Sequence, residues 1–363
     1  MMLKVPIYTI DSKSFGSQIL DFIRFLAAFV VFLFHFYVPL PGYQAVMIFF
    51  VLSGYFISSS ILRVFIGNKW KWSDYFINRI IRLWIVLLPG LLLTFFWGKL
   101  QMNLFGIDQK IQELSGLSTF IGNLFFLQGI LVEPYGLNGP LWSLSYEFWY
   151  YVLFPILILS IVSKKFLIKL FYLLFFIGIS IFIGEKIILY FFVWLVGAII
   201  PFIKPININN KIIKLFLLSV SLGMVIVSFY PHLIFGEKII NQILRDIAIG
   251  LTFAILMYLI ISIFREPTSR GVKYNISKDL AGFSYTLYVM HYPVANFIFT
   301  WLASPYWPFK ATPLWIKILF AILVIFYTWF ISLLTERHTD NIKKYVSYRI
   351  NKRRSKAMKN LSF

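Results

Sequence analysis

The chain contains no cysteine. Disulfides, thiolate metal sites and a cysteine nucleophile are therefore excluded. Histidine is scarce as well, with four in 363 residues. His35, His232, His291 and His338 are far apart, and no two stand four residues apart with an acidic partner, so the sequence offers no metal site. There is no Gly-rich phosphate loop, no G-x-S-x-G elbow and no dinucleotide-binding fingerprint. Charge is thin, at 13% of residues, and acidic side chains number only 14 against 34 Lys and Arg. What is present in excess is apolar: 60% of the chain is hydrophobic and 41 residues are Phe. A water-soluble protein of this length could not bury that much apolar surface, so its solvent is a bilayer.

Hydropathy predicts an all-α integral membrane protein with ten spans, at about 20–38, 43–65, 80–98, 143–162, 166–184, 187–203, 213–230, 245–263, 280–301 and 313–335. The apolar segment Thr119–Val132 is short and broken by glycine, so it reads as an interfacial or re-entrant piece. The first apolar stretch is too long for a signal peptide and lacks a small-residue cleavage site, so it is expected to be an uncleaved span.

The net charge of +20 does not point to nucleic acid, because the basic residues cluster in alternate loops. With the N-terminus inside, only Lys99, Lys110, Lys186, Lys238, Arg245, Lys310 and Lys317 fall outside, leaving 27 of 34 within. Both termini are therefore expected to be cytoplasmic, with a transmembrane domain over 1–342 and a basic tail over 343–363. That tail is either a topology anchor or a segment lying on anionic lipid. No internal repeat is found. The long outer loop, Lys99–Leu141, carries six glycines, and loops of that length are often functional.

Four constellations can carry chemistry. Arg24 and His35 are separated by ten residues of the first span. A step of eleven returns to within roughly 20° of the same helical face, and the two lie about 16 Å apart along the axis. Ionisable groups in lipid are costly and mark function by default. His35 is either a desolvated general base or a polar group satisfied by a neighbouring helix. Arg79 and Arg82 share one face at the inner end of the third span. They suit a bidentate grip on phosphate or serve as positive-inside anchors.

The third constellation is Trp142-Ser-Leu-Ser-Tyr-Glu147 at the start of the fourth span. Glu147 lies about one turn into the apolar region, where it either reaches interfacial water or orients a histidine, takes a proton or binds a sugar hydroxyl. The fourth is Ser284-Tyr285-Thr-Leu-Tyr288-Val-Met-His291 in the ninth span. Ser284, Tyr288 and His291 form one stripe, either a bundle-interior polar surface or interhelical glue. Two smaller features accompany them. Phe49–Tyr55 centres on the small pair Ser53-Gly54, best read as helix packing. Glu336-Arg337-His338 closes the last span, and His232 looks incidental.

Taken in order, these motifs resemble the membrane acyltransferase-3 family, the integral-membrane O-acyltransferases of bacterial surface glycans. The carrying residues are Arg24 with His35, Phe49–Gly54, Arg79 with Arg82, Trp142–Glu147, and Ser284–Pro293. Together they span about residues 15–340. Where the family often closes its last span with Glu-x-Pro, this chain has Glu336-Arg337-His338. The resemblance is to the stand-alone form, without a C-terminal hydrolase-like domain.

The resemblance implies transfer of an acyl group, most often acetyl, from cytoplasmic acyl-CoA to a hydroxyl of a surface polysaccharide or lipid-linked saccharide. It implies a multi-pass protein of the bacterial inner membrane, in contact with membrane lipids and using no metal. Arg24, Arg79 and Arg82 are expected at the CoA phosphates. His35 is expected to be the general base or a transient acyl carrier, oriented by Glu147. Trp142, Ser145, Tyr146, Ser284, Tyr285, Tyr288 and His291 are expected at the substrates. The competing readings are a transporter or flippase of a glycan or lipid intermediate, and a non-catalytic assembly or sensing protein. The missing repeat weakens the transport reading.

Overall fold

The computed structural model describes residues 6–36, 38–67, 69–230, 241–267, 276–303 and 313–360. Expectations on His232, Lys238 and Lys310 lie outside them. The chain is built from helices, in the order α1 Phe15–His35, α2 Gly42–Ile66, α3 Trp72–Phe105, α4 Gln109–Leu114, α5 Leu117–Leu124, α6 Trp142–Val162, α7 Phe166–Ile183, α8 Glu185–Ile199, α9 Lys211–Phe229, α10 Gln242–Phe264, α11 Ile276–Ala303, α12 Leu314–Leu334 and α13 Thr339–Asn360. No strand occurs among the described residues.

Nine helices among the described residues are long and apolar enough to cross a membrane. The expected ninth span, now α11, is long enough but is not among those nine. Asp279, Ser284, Thr286, His291 and Asn296 dilute its apolar character, and three of these side chains are turned inward: Ser284, Thr286 and His291 are buried. Such a helix is sheltered by its neighbours rather than by lipid.

Burial sorts the bundle. In α2, 72% of the apolar window is buried, against 6% in α7, so α2 is the centre and α7 a lipid-facing outrigger. Around α2 pack α1, α6, α8 and α10, while α11 packs between α1, α3 and α12. The crossing of α2 and α8 is close because both helices have glycine at the contact. A Cβ at Gly54 would strike the Trp194 carbonyl, and one at Gly197 the Val51 carbonyl. Small residues let membrane helices approach backbone to backbone. The expected packing role of Gly54 is thereby met.

Helix α3 is 34 residues long, about 51 Å at helical rise, so it overshoots the roughly 30 Å hydrocarbon core. Its end, with α4 and α5, makes much of the segment expected to be a loop helical. That segment is tied down rather than loose. Gln128, fully buried, donates to Leu141 O at 2.8 Å. Asn138, also buried, donates to Thr94 Oγ1 and to Val289 O. Phe126 takes a left-handed conformation (φ 60°) that turns its carbonyl toward Ser145 and Trp149, which donate to it at 2.7 and 3.0 Å. Two hydrogen bonds offset the strain of that backbone.

Candidate active site

Five helices and the turn after α12 line a chamber within the bundle. Arg24 of α1, Arg82 of α3, Glu147 of α6 and Glu336 all line it. So do Phe49, Ser53 and Phe56 of α2, and Ser284, Tyr285 and Tyr288 of α11. Arg82 is exposed as well as lining the chamber, so the chamber opens beside it.

All of these charged groups but Arg82 are held by a specific neighbour. Arg24 pairs with Asp21 at 3.4 Å, and its guanidinium lies 4.8 Å from the centre of the Phe56 ring. Among the described residues Arg82 has no ion-pair partner within bonding distance, although Glu147 and Glu336 line the same space. Glu336 Oε2 accepts from the backbone N–H and the hydroxyl of Thr286, at 3.0 and 2.8 Å. Glu147 Oε1 accepts from Ser53 Oγ at 2.9 Å and from the Tyr151 hydroxyl. Trp194 in turn donates to Ser53 Oγ at 3.2 Å. These bonds satisfy carboxylates that would otherwise be costly in an apolar bundle.

Here the structure corrects one expectation. Glu147 does not orient His35; it is turned to α2 and to its own helix, while His35 is turned to α11. The His35 ring lies 5.2 Å from that of His291 and 4.7 Å from that of Tyr292. His291 is fully buried, and its Nδ1 lies 2.8 Å from Leu287 O. A carbonyl can only accept, so Nδ1 carries the proton and Nε2 presents a lone pair. Among the described residues that Nε2 has no hydrogen-bond partner.

The two histidines do not line the chamber; Tyr288 connects them to it. Tyr288 lines the chamber, its hydroxyl lies 2.6 Å from Ser143 Oγ, and its ring centre is 6.5 Å from that of His291. Phe49 closes the same end, edge-on to Tyr288 at 5.7 Å. The chamber thus ends where the histidine pair begins.

Other expected residues fall outside the lining. Arg79 donates to Ser60 Oγ at 3.2 Å and lies over Tyr75 and Tyr151 rather than facing the chamber. Ser145 anchors Phe126, Tyr146 is buried against Phe50, and Trp142 stacks on Tyr43 at 5.4 Å. Ser284, Tyr285 and Tyr288 do line it, and Tyr285 donates to Leu83 O at 3.0 Å. Sequence reasoning passed over Asp21, Ser143 and Thr286, and gave no chemical role to Ser53 or Glu336. Ser53 sat within a motif, and Glu336 was visible as an acid at a span end. Their partners lie 94 and 50 residues away and leave no local signal.

A membrane-embedded bundle with a charged chamber ending at a histidine pair fits an enzyme that works on a substrate brought into the bilayer. Comparison with known proteins makes the class definite. The chain belongs to the acyltransferase-3 family, whose acyltransferase domain matches residues 18–337. It is similar to an O-acetyl transferase of Shigella phage Sf6, at 24% identity over 325 residues, covering 80% of this chain and 89% of that protein. No solved structure matches. The protein is a multi-pass membrane O-acyltransferase, which displaces the reading of transport without chemistry.

Proposed function

We propose that this enzyme takes an acetyl group from acetyl-CoA, or another acyl group from its CoA thioester, on the cytoplasmic side of the bacterial inner membrane. It delivers the group to a hydroxyl of a surface polysaccharide or lipid-linked saccharide on the other side. The carrying observation is the chamber itself, with arginines at its open end and the histidine pair beyond its closed end. The concentration of basic residues in alternate loops supports cytoplasmic termini and donor entry beside them. The relative's activity supports acetyl as the group transferred.

In this reading Arg24 and Arg82 meet the CoA phosphates, since guanidinium groups bind phosphate with two parallel N–H donors. Lys278 of α11 and Lys343 of α13, neighbours of Asp21 and Arg82, add positive charge near the mouth. The pantetheine arm runs along the chamber and brings the thioester to Tyr288. In the neutral imidazole of His35 one ring nitrogen carries the proton and the other is free as a base. His35 then takes the proton of the acceptor hydroxyl. The acceptor oxygen attacks the thioester carbonyl, the C–S bond breaks, and CoA leaves as a thiolate that is then protonated.

The test combines donor and glycan measurements. Wild-type protein binds acetyl-CoA in detergent, and a deletion strain loses an acetyl mass from its surface glycan by mass spectrometry. His35→Ala keeps donor binding yet restores no acetyl. Full acetylation by His35→Ala overturns the role of His35. An unchanged glycan in the deletion strain overturns the acceptor class.

A further inference from the structure

A second set of costly polar groups lies outside the chamber. Asp246 of α10 is fully buried in a membrane-spanning helix. Its Oδ2 accepts from Tyr190 of α8 at 2.7 Å, and the Tyr190 and Tyr43 hydroxyls lie 3.0 Å apart. Among the described residues its Oδ1 has no partner. Three helices thus contribute to one hydrogen-bonded chain, which the chemistry described above does not use.

The chain has a direction. Tyr190 gives its proton to the carboxylate, so its oxygen can only accept from Tyr43. Tyr43 gives its proton to Tyr190, and its own oxygen is left as an acceptor. Successive hydrogen bonds of this kind polarise one another. Gln242 and Arg245 stand beside Tyr43, and a phenolic oxygen has lone pairs to share among more than one donor.

The place of Tyr43 matters as much as its polarity. Tyr43, Val46, Phe50, Ser53 and Ile57 follow one stripe of α2, within roughly 80° of arc. The last four line the chamber. Tyr43 continues that wall one turn further, at the end of α2 away from Arg82. His35 closes α1 and Tyr43 opens α2, so a short turn holds both at the same end of the bundle. The ring of Tyr43 stacks on Trp142, and both rings are partly exposed. Partly exposed aromatic rings beside an oriented hydroxyl form the kind of surface a sugar ring takes.

We infer that Tyr43, oriented by Tyr190 and Asp246, binds the acceptor saccharide. Its oxygen accepts a hydrogen bond from an acceptor hydroxyl, beside Trp142. This rests on the acyl-transfer reading above. Tyr43 is the contact, and Tyr190 and Asp246 are positioning residues. If the chain were only glue between α2, α8 and α10, removing one hydroxyl would lower stability without sparing the donor step.

Two readouts decide it: acetyl-CoA affinity of the purified full-length variants, and acetyl content of the surface glycan in a deletion strain carrying each variant at matched membrane levels. Tyr43→Phe is expected to keep acetyl-CoA affinity within about twofold, and to lower glycan acetylation about three- to tenfold, the range of a lost hydrogen bond. Asp246→Asn, which still offers an acceptor oxygen to Tyr190, falls between wild type and Asp246→Leu. Tyr190→Phe follows Tyr43→Phe and covers the case in which an Asp246 variant does not fold. Full acetylation by both tyrosine variants overturns the inference, as does a parallel loss of acetyl-CoA affinity. If the wild-type gene restores no acetyl to the deletion strain, the acyl-transfer reading falls first and takes the inference with it.

Discussion

The arginine end of the chamber and the histidine pair solve the same problem in opposite ways. At the arginine end, charges of both signs converge from α1, α3, α6 and the turn after α12. Most of them are held by bonded neighbours: Arg24 by Asp21, Glu336 by Thr286, Glu147 by Ser53 and Tyr151. Around the histidines, the rings of Phe32, Phe34, Tyr288 and Tyr292 pack against His35 and His291. The first region is built to receive charge and the second to keep charge out. A phosphate carrier suits one, and a neutral imidazole that must accept a proton suits the other.

The comparison breaks most visibly at His291. Replacing it with Phe keeps the burial and removes the imidazole packed 5.2 Å from that of His35. Turnover is expected to fall about 100-fold, the lower end of what acid–base catalysis contributes, while acetyl-CoA affinity stays unchanged by titration. Equal loss of affinity and turnover would mean that the two regions are one site. Arg82→Ala probes the opposite corner. Acetyl-CoA affinity is expected to weaken about 10- to 100-fold, the worth of a charged hydrogen bond, with little change in turnover at saturating donor. The smallest effect sharpens the boundary: Arg79→Ala, outside the chamber, is expected to change acetyl-CoA affinity less than about threefold, as exposed or remote charges do. A loss as large as that of Arg82→Ala would move the phosphate site toward Ser60 and Tyr75.

Much of this was legible beforehand. Helix positions followed from apolar run length, because lipid imposes a span of fixed width. The stripe of Ser284, Tyr288 and His291 was visible in helical spacing, and its burial agrees with it. Helix partners were harder to read. Spacing puts Glu147 and His35 each on a face, but says nothing about which face turns to which neighbour. The Glu147–His35 contact was inferred by analogy with a triad and is not formed, because α2 offers Ser53 to Glu147 and α11 offers His291 to His35. Glu336 shows the same limit. Its role depends on Thr286, a residue with no feature of its own in the sequence.

The glycine crossing of α2 and α8 bears on which acyl groups fit. Backbone meets backbone at Gly54 and Gly197, so α2 cannot shift toward α8 to widen the chamber that its other side chains line. In the proposed reaction, room for a longer acyl chain comes from the side chains at the histidine end, Phe49 and Tyr288. Under the proposed function those two rings set the length of the acyl group, and Phe49→Ala is expected to admit a longer one, read by comparing acetyl with longer acyl donors.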